Sequence, residues 1–84
     1  MNSNLNIQLQ EAYKKANSIE ERLAPDTMLK LYAYYKQATQ GDITLSSDSE
    51  TDLRNGFKFN AWAQLKGMSV EEAKIAYINL VKNL

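Results

Sequence analysis

The sequence predicts an all-α domain of four amphipathic helices. Apolar residues recur at three- and four-residue steps in four separate segments, as one buried face of a helix requires. Pro25, Gly41 and Gly67 stand where those segments end, as helix stop signals do. The chain has 84 residues, 44% of them apolar, with no cysteine, so a single domain over 1–84 must be held together by helix packing without disulfides. Ten basic residues balance ten acidic ones, which removes any whole-molecule field favouring nucleic acid and makes any phosphate site a local one. The opening MNSNLNIQLQ has no basic cluster followed by an apolar run, and nowhere do 18 apolar residues follow one another. A soluble, cytoplasmic protein without an export signal is therefore expected.

Helix one is expected from about Asn4 to Glu21, with Leu5, Leu9, Ala12, Ala16 and Ile19 as its buried stripe and Ser3 or Asn4 as its cap. Pro25 ends it, because proline has no amide donor and disfavours helical geometry at Ala24, yet it suits the first turn of the next helix. Helix two runs to about Gln40 and stops at Gly41. From Asp42 to Ser49 the chain is polar and turn-rich apart from Ile43 and Leu45, giving a long connection that permits a crossover. Ser49 and Asp52 approximate a capping box for helix three, which continues through Leu53, Phe57 and Ala61 and ends near Lys66. Ser69 and Glu72 form a full capping box for helix four. Its stripe of Val70, Ala73, Tyr77, Leu80, Val81 and Leu84 is expected to dock along its whole length.

Helix two carries the candidate working face. At about 100° per residue, Met28, Leu29, Tyr32, Tyr35, Lys36 and Thr39 fall within an arc of roughly 120°, with Lys30 and Tyr34 on the other side. The face is apolar at one end and polar at the other. Two phenols and an ammonium at this spacing offer flat surfaces, hydroxyl donors and a point charge, which together suit a nucleotide; they equally suit core aromatics beside a snorkelling lysine. On helix three, Arg54 and Lys58 stand one turn apart, with Trp62 and Leu65 continuing their face. Trp62 reads as a core residue beneath helices two and four, and Tyr77 as either a core aromatic or a ligand contact.

Catalysis is disfavoured, since the chain has no histidine and no cysteine, the commonest general base and the commonest thiol nucleophile. Glu71 and Glu72 stand in a helix first turn, where capping and the helix dipole explain them. There is no Walker A or GxGxxG motif and no metal-ligand spacing, so neither a cofactor nor a metal is expected. Binding is what these residues suit.

The run Met28-Leu29 to Tyr32, Tyr35-Lys36-Gln37-Ala38-Thr39 and Gly41-Asp42-Ile43 resembles the signature of the acyl-CoA-binding protein family, and Lys58, Ala61-Trp62, Leu65, Gly67, Ser69 and Ala76-Tyr77-Ile78 match its second half without a gap. The resemblance is weak in the first helix and strong from Met28 to Val81. It implies a four-helix bundle running up-down-down-up, with the long crossover between helices two and three. It further implies a monomer that binds, carries or buffers long-chain fatty acyl-CoA esters, with transient contacts to membranes or to enzymes that use the ester. Tyr32, Lys36 and Lys58 then match the residues that hold the ribose 3′-phosphate, Tyr35 the one that stacks near the adenine, and Tyr77 a further ligand contact. Met28 and Leu29 become candidates for the acyl groove.

Three positions depart from the family pattern: Phe59 stands in place of a tryptophan, Asn17 in place of a lysine late in helix one, and Arg54 in place of a lysine in helix three. Asn17 removes a possible phosphate contact, whereas Arg54 keeps one. Two rival readings are an enzyme module, such as the isomerases to which this domain is sometimes fused, and a helical protein-interaction module that has lost its ligand. Retention of Tyr32, Lys36 and Lys58 speaks against the second.

Overall fold

The computed structural model describes residues 2–43 and 56–84. Among them are four α-helices, α1 (Asn2–Ser18), α2 (Pro25–Gln40), α3 (Gly56–Ala63) and α4 (Val70–Lys82), with a 3-10 turn at Glu20–Arg22 between the first two. Helix α1 starts at Asn2, so Ser3 and Asn4 fall within its first turn and not at the position before it where a cap was expected. It ends at Ser18, short of the expected Glu21, where the backbone tightens through bonds from Arg22 N–H to Ile19 O and Leu23 N–H to Glu20 O. Pro25 then occupies the first turn of α2, whose end is marked by Gly41 at φ 77°.

Side-chain pairings fix the helix directions. Lys74, early in α4, donates to Asn6, early in α1, and Ile78 and Val81 share a groove with Glu11 and Lys15, so α1 and α4 run parallel. Gln37 meets Met68 just before α4 while Tyr35 meets Tyr77 further along it, so α2 runs against α4. Lys58 stands at the level of Tyr32 and Trp62 at that of Gln37, so α3 runs with α2. The order is up-down-down-up. The expected crossover beyond Ile43, including Leu45, the Ser49 and Asp52 capping box, and Leu53 lies outside the described residues.

The core forms where α4 packs against both α1 and α2. Leu9, Ala12 and Ala16 of α1 meet Leu31 and Ala38 of α2 and Ala73, Tyr77, Ile78 and Val81 of α4. Helix α4 is fully buried only along this central stretch; Val70, its first residue, is 40% exposed, and Leu84, beyond its end at Lys82, is 42% exposed. The Ser69–Glu72 capping box is formed in both directions.

Trp62 departs from its expected place. It is half-buried and stays outside the core cluster, because its indole N–H is drawn to the C-terminal end of α2, where it reaches Gln37 Oε1 and Gly41 O, each at 3.1 Å. Gln37 is fully buried at 0% exposure, and its amide nitrogen donates to Asp42 Oδ1 and to Met68 O, both at 2.7 Å. Asp42 Oδ1 also accepts the amide of Gly67 at 2.9 Å. One buried amide thus ties α2, the start of the following connection, α3 and the approach to α4 together.

The Gly67 amide, and after it the Gln37 side chain, hold the Asp42 carboxyl below the ordinary carboxylate range, with Lys66 adding a smaller pull. A depressed folded-state pKa contributes stability that is present above the unfolded value and lost as pH falls through the folded one. Stability is therefore expected to decline below about pH 4, and Asp42→Asn, which keeps an oxygen acceptor but does not titrate, should flatten that decline in denaturant melts run from pH 5 to 2.5. Identical pH slopes for parent and variant would refute this role.

Candidate ligand cleft

A cleft of about 560 Å3 opens along α2, and the core residues Ala16, Leu31 and Tyr77 form part of its lining. Every described residue proposed as a ligand contact lines it: Met28, Leu29, Tyr32, Tyr35 and Lys36 from α2, Lys58 from α3 and Tyr77 from α4. Arg54 lies outside the described residues. Helical spacing places the α2 residues, since positions three and four apart project from the same side. Bringing Lys58 to them depends on α3 packing parallel to α2.

The polar end is built around Tyr32. Lys58 Nζ stands 5.4 Å from the centroid of its ring and Lys36 Nζ 5.7 Å, so ammonium groups from two helices converge on one phenol. Lys36 Nζ is also 5.6 Å from the centroid of Trp62. Two such cations beside a hydroxyl suit a multiply charged oxyanion. Toward the start of α2 the lining turns apolar, with Leu23, Pro25, Met28 and Leu29. The cleft therefore grades from cationic to hydrophobic along one helix, as the face of helix two does in sequence.

Its floor is aromatic. Tyr35 stacks on Tyr13 of α1 with ring centroids 4.4 Å apart and planes 21° from parallel, and meets Tyr77 at 5.5 Å and 54°. Tyr77 is only 2% exposed. Burial, and next its Tyr13 and Tyr35 neighbours, push its hydroxyl up to about 12, so it remains a neutral phenol throughout the physiological range.

Several lining residues had no assigned role in the sequence reading. Tyr13 sits one position off the buried stripe of α1, and only its aromatic character marked it. Asn17, noted as a departure from the family pattern, is on the cleft wall, so the replaced charge would have faced the ligand space. Phe57 continued an apolar spacing yet is 81% exposed, because its turn of α3 borders the cleft and not the core. Outside the lining, Gln37 stood within a recognisable run, but two of its partners, Trp62 and Met68, come from distant parts of the chain.

The family model described as Acyl CoA binding protein matches residues 7–81. An acyl-CoA-binding protein of Dictyostelium discoideum is 37% identical over 75 residues, covering 89% of each chain. One from Saccharomyces cerevisiae is 39% identical over 75 residues, which span 89% of this chain and 86% of that one. The crystal structure of Oryza sativa Acyl-CoA-Binding Protein 2 superposes with a TM-score of 0.86 at 34% identity, covering 99% of this chain and 90% of the other. With a family match over most of its length and relatives at this level of identity, the chain belongs to the acyl-CoA-binding protein family.

Proposed function

We propose that this protein binds long-chain fatty acyl-CoA esters and carries or buffers them, performing no chemistry of its own. The observation that carries the reading is the convergence of Lys36 and Lys58 on Tyr32 at one end of a cleft whose other end is lined by Met28 and Leu29. An acyl-CoA has the same polarity, with a phosphorylated nucleotide at one end and an alkyl chain at the other. In this assignment Tyr32, Lys36 and Lys58 hold the 3′-phosphate, Tyr35 lies near the adenine, Tyr77 contributes a further contact, and Met28 and Leu29 flank the acyl chain. The names of the relatives support the same ligand class. The absence of histidine and cysteine from the chain favours carriage over catalysis. The reading also makes the protein a cytoplasmic monomer that meets membranes or acyl-CoA-using enzymes transiently, and no helix among the described residues is long and apolar enough to cross a membrane.

Calorimetric titration with acyl-CoAs of graded length tests this. Palmitoyl-CoA is expected to bind 1:1, with free coenzyme A and free palmitate far weaker, and affinity should rise with chain length because each buried methylene contributes about 0.8 kcal/mol. Equal affinity for the ester and the free fatty acid would leave the nucleotide half of the cleft idle and refute the assignment.

A further inference from the structure

The aromatic floor of the cleft assigns a role to a residue outside the Lys36–Lys58–Tyr32 grip. Tyr35 has little ring face to offer a ligand: Tyr13 covers it in a near-parallel stack at 4.4 Å, and Tyr77 leans against it at 5.5 Å. A flat base entering the cleft cannot stack on the covered side of Tyr35 without first displacing Tyr13. Tyr13 itself is 39% exposed, lines the same cleft, and has only one of its faces taken by Tyr35. Its other face is the flat surface next in the stack, backed by Tyr35 and then by the buried Tyr77.

We infer that Tyr13 is the stacking platform for the purine base of the ligand, and that Tyr35 acts behind it by holding that ring in place. Helices α1, α2 and α4 each contribute one ring to the ladder, so the platform is supported by the core rather than by a loop. Every base presents a π-face, so a pre-stacked tyrosine gains contact area without having to be ordered on binding. The inference rests on the acyl-CoA reading above.

The test compares palmitoyl-CoA with S-palmitoyl-4′-phosphopantetheine, which has the same acyl chain and thioester but no nucleoside. The parent is titrated with palmitoyl-CoA first, and no binding there would overturn the acyl-CoA reading and this inference with it. Given binding by the parent, Tyr13→Ala is expected to weaken palmitoyl-CoA by roughly five- to a hundred-fold, leaving the nucleoside-free ester nearly unchanged. Tyr13→Phe should restore the parent's affinity. Tyr13→Leu, which covers Tyr35 with apolar volume but offers no ring, should behave like the alanine variant. Unchanged or tighter palmitoyl-CoA binding by the alanine or leucine variant would show that Tyr13 only obstructs Tyr35. An equal loss for both esters would place its contact on the shared part of the ligand. Either result overturns the assignment while leaving the acyl-CoA reading intact.

Discussion

Lys36→Ala and Lys58→Ala are each expected to weaken binding of palmitoyl-CoA by roughly 1.5 to 3 kcal/mol, the range for a hydrogen bond to a charged group. The two ammonium groups come from α2 and α3, yet both stand within 6 Å of the Tyr32 ring centroid (5.7 and 5.4 Å), so they are positioned to share one phosphate. Two consequences separate this from general electrostatic attraction. The losses should be much smaller for the 3′-dephospho ester, and the double variant should be non-additive, as for residues sharing a partner. Lys30, an exposed residue on α2 that is not part of the cleft lining, is the control and should be silent. Equal losses for the phosphorylated and dephosphorylated esters would move the grip to the pyrophosphate.

Replacing Gln37 by leucine should produce the largest loss of stability, about 2 to 4 kcal/mol in urea or guanidinium unfolding. Leucine fits the volume, but it leaves Met68 O without its 2.7 Å donor and takes from Asp42 and Trp62 one partner each. Trp62 keeps Gly41 O and Asp42 keeps the Gly67 amide, which limits the damage. Trp62→Phe removes the indole donor along with part of the ring and should cost at least about 1 kcal/mol. Because that donor and Gln37 are partners, the two substitutions together should cost less than their sum. A Gln37→Leu protein as stable as the parent would mean that the buried amide fixes geometry without contributing stability. Neither substitution enters the cleft lining, so a stable variant should still bind its ligand, which separates the hub from the site.

The amphipathic character of the chain was legible without coordinates. Leu9, Ala12 and Ala16 on α1 and Ala73, Tyr77 and Val81 on α4 are buried as their spacing predicts, because an isolated helix already determines which residues share a side. The same local geometry placed Met28, Leu29, Tyr32, Tyr35 and Lys36 together on the cleft wall. The start of α2 at Pro25 and its stop at Gly41 likewise follow from backbone chemistry one residue at a time, whereas α1 ends at Ser18, well before the proline.

Contacts between helices were decided by the tertiary structure. Periodicity identified Trp62 as apolar but carried no information about the acceptors at Gln37 and Gly41 that draw its indole away from the core. Phe57 fits an apolar stripe, yet whether that stripe meets a core or a cleft depends on where α3 lies against α2. Tyr13 shows no regular spacing with Tyr35 or Tyr77; the three rings meet because α1, α2 and α4 cross there. Gln37 is the clearest instance, since its partners lie 5, 25 and 31 residues away and nothing local distinguishes it from the exposed Gln40 one turn further on. Sequence specified faces because a face is a property of one helix, whereas the hub and the aromatic ladder are properties of helices packed together, and only the packed structure contains them.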